Sequence, residues 1–235
     1  MAELNIYGQI GHFNGVKGLT SIEFAQQLAE IDPSEDLSLY MSSPGGVIRE
    51  GLTMYSDLAR RPGMVNIHIH GVVGSIASVM AMAGDTITMA QSAKLMIHNP
   101  MGPSALAFGD SDTLREAAEH NIRTAEVLDG MRDETADVYA ARTGSSRAQI
   151  VEWMAEETWF NAADAKKHGF ADAIAPNKQL VAHTTSDTPF AAPIADENEL
   201  LAVQDLIANL PIRNRQRASE GAYRMAQAKL QLTTL

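Results

Sequence analysis

Three short stretches carry residue types that can do chemistry together. Gly74-Ser75-Ile76-Ala77-Ser78-Val79 puts two serines near the start of a predicted helix, directly after the apolar-alternating run Val65 to Val73. A helix start offers unpaired backbone N–H groups and a positive dipole end, which suit a developing oxyanion. Met96-Ile97-His98-Asn99-Pro100 sets a histidine at the end of another apolar run, twenty residues beyond Ser78. Ser42-Ser43-Pro44-Gly45-Gly46-Val47 is a glycine-rich turn between a predicted strand and a predicted helix, where bare amides would be useful. A serine, a histidine and a turn of exposed amides are the parts needed for nucleophilic acyl transfer.

Each part also has a plainer reading. A small residue near a helix start usually serves capping or close packing, and Ser75 is the better N-cap by type and position. Ser78 would lie one turn in, beside Ala77, where its side chain could face a cleft. A single histidine at a strand end is commonly a satisfied structural residue. His68 and His70 share one face of a strand at i, i+2, but no Asp, Glu or His cluster follows at ligand spacing, so no metal is expected. The parts are individually weak, and their order along the chain is the specific signal.

The elements that must position them read as repeated strand–turn–helix units. Leu4 to Ile10 alternates as a strand. Thr20-Ser21-Ile22-Glu23 can cap a helix running to about Ile31. Leu37 to Met41 is a strand, Val47 to about Leu58 a helix, and 65–71 a strand before the serine helix. Strands at 86–90 and 94–98 come next, and the pattern implies an α/β protein with a largely parallel sheet. After a Pro/Gly loop, a helix of about 30 residues from Ser111 to Ala141 would be roughly 45 Å long. Leu114, Ala118, Ile122, Ala125, Leu128, Met131 and Val138 form its apolar stripe. Such a helix is expected to project and pack on something else. Gly144 ends it, Ser146 caps the next helix, and Phe170 to Ile174 reads as a last strand.

Composition narrows the class. The chain has 235 residues, 45% of them apolar, enough for one core with an appendage. No apolar run is long enough to span a membrane, and the N-terminus lacks a secretory signal. The absence of cysteine excludes disulfides, a thiol nucleophile and thiolate metal sites, and fits a cytoplasmic setting. A net charge of −11 argues against nucleic-acid or anionic-membrane partners. That charge belongs to residues 1–177. Residues 178–235 are charge-balanced, with an Ala/Thr/Pro/Asp-rich linker at 181–198, a short amphipathic helix at 199–210 and a locally basic end.

The ordered blocks resemble the Clp proteolytic-subunit family of serine peptidases. The family shows Ser-Pro-Gly-Gly-Val-Ile, then Gly-x-x-Ala-Ser, then Met-Ile-His-x-Pro, matched here at Ser43–Ile48, Gly74–Ser78 and Met96–Pro100. The family's fourth block, Thr-Gly, then an acid two residues before an aromatic, then Ser-Ala-x-Glu-Ala and Gly-Leu-x-Asp, reads here Thr143-Gly144, Glu157-Thr158-Trp159, Asn161-Ala162-Ala163-Asp164-Ala165 and Gly169-Phe170-Ala171-Asp172. The resemblance covers about residues 4–175. It implies a β-β-α spiral shared with crotonases, bearing a long handle helix, in a peptidase domain at 1–177; the change of composition beyond it marks 178–235 as a linker and a helical, partly disordered tail that departs from the family. It implies a serine endopeptidase with Ser78 as nucleophile, His98 as general base and Glu157, where the family usually has aspartate, as the orienting acid. The oxyanion hole falls on the amides of Gly46 and Val79. No cofactor or metal is implied. The partners implied are a protein or peptide substrate and further copies of the chain in a ring.

Relatives that work with ring ATPases carry a segment ahead of the first strand. This chain begins almost at that strand, which counts against an ATPase partner. The Gly-Ser-Ile-Ala-Ser and Glu-Thr-Trp blocks are similar to those of Clp-like proteases encoded with phage capsid genes. That likeness implies prohead maturation, with a scaffold or capsid protein as partner and a procapsid as location. The rival readings are a non-catalytic capsid- or scaffold-associated protein that kept the fold, and a crotonase-type acyl-CoA enzyme.

Overall fold

The computed structural model describes residues 2–13 and 15–176. The chain divides into two units, 1–187 and 188–235. All the described elements belong to the first, and the tail expected at 178–235 lies outside the described residues.

Seven strands form one sheet: β1 (Ala2–Tyr7), β2 (Leu37–Ser43), β3 (Val65–Gly74), β4 (Thr86–Ala90), β5 (Lys94–Ile97), β6 (Thr158–Asn161) and β7 (Ala173–Ala175). The order β1-β2-β3-β4-β7 is parallel throughout. Buried positions alternate along the strands, with Ile67, Ile69, Leu39, Met41, Ile87 and Met89 filling the core. The α/β fold with a parallel sheet and a long helix, expected from the sequence, is the one found.

The helices are α1 (Ser21–Ala29), α2 (Ile48–Ala59), α3 (Ile76–Ala81), α4 (Ser111–Thr143), α5 (Arg147–Ala155) and α6 (Ala162–Lys167). Their ends are where the polar residues put them. Thr20 and Glu23 close a capping box on α1, Asp110 accepts from the Thr113 amide at the head of α4, and Ser146 caps α5. Gly144 ends α4 in the left-handed region, φ 71°.

Two features of the sheet bring the distant motifs together. First, β3 has two partners on one edge: residues 66–69 pair with β4, and residues 72–74 pair with β5. The second half of β3 thus runs beside the strand that carries His98. Second, β6 returns antiparallel to β5, with Met96 opposite Trp159 and Ile97 opposite Thr158. Neither β6 nor α6 is legible in the sequence, because each is too short to show a period. The predicted strands at the two ends are also displaced. β1 stops at Gly8, whose φ is +87°, and Phe170 is drawn into a turn by donating to the Ala165 carbonyl at 2.8 Å, so β7 starts only at Ala173.

Helix α4 has 33 residues, about 50 Å. Its C-terminal part is rooted in the body. Thr135, Ala136 and Tyr139 are buried, and Arg142 pairs at 2.6 Å with Asp172, which also accepts from the Ile87 amide of β4 at 2.7 Å. The predicted apolar stripe therefore splits. Leu128, Met131 and Val138 are half-buried, whereas Leu114, Ala118, Ile122 and Ala125 lie on the part that leaves the body and are all exposed.

Candidate active site

Strand β3 ends at Gly74 and α3 starts at Ile76, leaving Ser75 alone to make the turn. Its backbone sits at φ 55°, ψ −134°, a conformation rare for a residue with a Cβ. A sharp strained strand-to-helix turn is the geometry that thrusts a nucleophile's side chain clear of its sheet. The Ser75 amide donates to the Met96 carbonyl at 3.0 Å, continuing the β3–β5 pairing by one residue. Two residues past Met96, His98 turns its ring back, and Nε2 lies 2.7 Å from Ser75 Oγ. Both residues are half-buried and line one cleft.

Ser75, and not the expected Ser78, is the serine beside His98. Ser78 is 0% exposed, and its Oγ lies 2.8 Å from Tyr139 Oη, 2.6 Å from the Ser75 carbonyl and 2.9 Å from the Met96 carbonyl. It meets neither His98 nor the cleft. No signal within the block separates the two serines, which are of one type and three residues apart. Ser75 reads as an N-cap by type and position, but its side chain makes no capping hydrogen bond.

Val79 falls with Ser78. It is the fourth residue of α3, one turn beyond the elbow, whereas the residue that follows Ser75 is Ile76. Ile76, the first helical residue and the one after Ser75, has no acceptor within the helix and lines the cleft. Gly46 stands opposite. The Ile10 amide donates to the Gly45 carbonyl at 2.9 Å, and the Val47 amide donates to the Ile10 carbonyl at 2.8 Å. In a parallel bridge this pattern leaves Gly46's own N–H directed away from Ile10, and Gly46 lines the cleft. The two glycines are required by space. A Cβ on Gly45 would stand 2.6 Å from Ser75 Cβ, and one on Gly46 would collide with the Ile10 carbonyl. Their φ angles, +102° and +148°, also disfavour other residues.

Glu157 reaches the site through the sheet. Continuing the β5–β6 register by one residue sets it opposite His98. The Asn99 and Glu157 amides both donate to the Met154 carbonyl, at 3.0 and 3.3 Å, which ties the two turns together. Glu157 sits in the left-handed region at φ 50°. Its carboxylate is exposed and accepts from Trp159 Nε1 at 3.3 Å. Glu156 instead caps α5. Burial lowers the His98 pKa from its ordinary 6.5, and the nearby Glu157 charge partly opposes that. The shift favours the neutral imidazole, the form able to accept a proton.

The cleft encloses about 730 Å³ between the Ser75 elbow and α4. Ile76, Val79, Val127, Leu128 and Met131 give it an apolar wall beside Ser75. Besides His98 and Tyr139, its titratable lining is Arg49, His120 and Arg123, and no Asp or Glu lines it among the described residues.

A half-buried serine on a strained elbow, with a histidine ring nitrogen 2.7 Å from its hydroxyl, is an arrangement capable of acyl transfer. The model of the Clp protease family matches residues 19–178. Among curated proteins, the chain is 30% identical over 163 residues to the ATP-dependent Clp protease proteolytic subunit 3 of Rhodococcus jostii, covering 68% of this chain and 75% of that one. It is 28% identical over 151 residues to the ATP-dependent Clp protease proteolytic subunit of Streptococcus agalactiae, 63% of this chain and 73% of the relative. The subunit of Pleurastrum terricola is 29% identical over 154 residues, 64% and 73%. The chain belongs to the Clp protease family, and with it to the peptide-bond hydrolases.

Proposed function

We propose that the protein is a serine endopeptidase with Ser75 as nucleophile, His98 as general base and Glu157 as the acid that orients His98. The observation that carries this reading is the 2.7 Å separation of His98 Nε2 from Ser75 Oγ on the elbow. Ser75 Oγ attacks the scissile carbonyl and passes its proton to His98 Nε2. The amides of Gly46 and Ile76 receive the oxyanion, each donor worth roughly 3–4 kcal/mol in comparable enzymes. His98 then protonates the leaving amine, leaving an ester on Ser75. Water gives a proton to His98, attacks the ester and releases the acid. Glu157 holds the Nδ1–H tautomer and stabilises the imidazolium, by a shift of its exposed carboxylate from Trp159 toward the ring.

The apolar wall suits a large apolar side chain at the cleaved bond, and the basic rim suits acidic residues flanking it. Assembly through α4 fits its exposed Leu114 and Ile122 and the loop before it, where Leu106 and Phe108 are almost wholly exposed. We read the assembly as a ring of copies of this chain, and its substrates as capsid or scaffold proteins of a phage prohead. The Gly-Ser-Ile-Ala-Ser and Glu-Thr-Trp blocks support the second point.

Fluorophosphonate labelling tests the chemistry. The probe should modify Ser75, and Ser75→Ala should abolish both labelling and peptide cleavage. A folded wild-type protein that takes no label would favour the non-catalytic reading.

A further inference from the structure

Ser78 is buried, polar and unused by the reaction, yet it touches both strands of the site. Its Oγ lies 2.6 Å from the carbonyl of Ser75 and 2.9 Å from that of Met96. Its third neighbour is Tyr139 Oη at 2.8 Å, from the rooted part of α4. The two hydroxyls have two protons between them. If Ser78 donated to Tyr139, its lone pairs would face two carbonyl oxygens with no proton between. Tyr139 must therefore donate to Ser78, and Ser78 to a carbonyl. Tyr139 is 1% exposed, and burial raises its pKa, so the phenol keeps its proton to donate.

The carbonyl of Ser75 also accepts from the Ser78 amide at 2.9 Å, and the Ser75 amide donates to Met96. Ser78 thus grips the strained elbow from below and fastens it to the strand that holds His98 two residues later. We propose that Ser78 and Tyr139 are positioning residues, a buried hydroxyl pair that keeps Ser75 Oγ in line with His98 Nε2. The proposal rests on Ser75 as nucleophile. Neither hydroxyl is given a contact with substrate: Ser78 is outside the cleft, and Tyr139, whose ring borders the cleft, turns its Oη to Ser78.

The test compares Ser78→Ala, Tyr139→Phe and the double variant with wild type on an apolar peptide, reading kcat, KM and Tm. Ser78→Ala strands a buried phenol without its acceptor, so its Tm falls. The double variant removes both polar groups, and its Tm recovers. A positioning role predicts that kcat stays about 10- to 100-fold below wild type in the double variant, with KM changed less than about twofold. Should Ser78→Ala fail to fold, the double variant and Tyr139→Phe, which leaves no buried group orphaned, still give this reading. Recovery of both Tm and kcat in the double variant would overturn the proposal, since only packing would then be at stake. Loss of labelling in wild type would overturn the peptidase reading itself, and this proposal with it.

Discussion

At the scale of single residues, the site turns on the protonation of His98. It must be neutral to take the Ser75 proton. Burial is the larger influence and lowers its pKa below 6.5, and the Glu157 charge pulls the other way. Activity should therefore rise with pH through a midpoint below the ordinary imidazole value. Glu157→Gln removes the opposing pull, so the midpoint should move lower still, while plateau kcat falls by about tenfold or more as His98 loses its orienting partner. A pH profile of kcat/KM for the two proteins checks both shifts. An unchanged midpoint in Glu157→Gln, together with an unchanged plateau, would leave the enzyme as a dyad. Glu156→Gln should do little, because Glu156 ends α5 and lies outside the β6 register.

At the scale of elements, two pieces are under geometric constraint. The Pro44-Gly45-Gly46 turn is pressed between Ile10 and the Ser75 elbow. Gly45→Ala should therefore displace the elbow. The added Cβ in a left-handed backbone costs about 1–3 kcal/mol, read as a lower Tm, and fluorophosphonate labelling should slow with it. A variant with native labelling rate and Tm would show that the turn has room to relax. Helix α4 is the other piece. Leu114 and Ile122 are 50% and 59% exposed on a projecting segment, and exposed apolar side chains in a row mark a contact surface. Leu114→Asp with Ile122→Asp should lower the particle mass in light scattering. A wild-type protein that is monomeric at micromolar concentration would remove the assembly reading.

For the whole molecule, charge is distributed against its average. The chain carries −11, yet the cleft is rimmed by Arg49, His120 and Arg123 without an acidic residue among the described ones. An acidic surface repels acidic peptides until they reach that basic rim, where opposite charge holds them. Peptides with Asp or Glu flanking an apolar cleavage position should have lower KM than neutral ones, and the difference should shrink as salt screens it. Arg123→Glu should reverse the preference while leaving cleavage of a neutral peptide near the wild-type rate. Equal KM values for acidic and neutral peptides at low salt would remove this specificity.

Much of this is legible without the fold. Strand–turn–helix order, the caps at Thr20 and Ser146, and the Gly stop at 144 come from local propensity and backbone sterics, which a short window of residues carries. The order of the serine, histidine, glycine and acid blocks also points to the family, because covalent chemistry needs fixed residue types. Which serine does the work is a different kind of question. Ser75 and Ser78 are three residues apart and chemically alike, and they differ in which of them, one before α3 and one within it, the packing leaves on the open side. That side is decided by β5 and by Tyr139, sixty-one residues away along the chain. Glu157 comes opposite His98 only because β6 returns antiparallel to β5, and the proposed oxyanion amide of Gly46 depends on how Ile10 holds the glycine turn. These are long-range pairings between segments that carry no mark of one another, and only the folded chain brings them together.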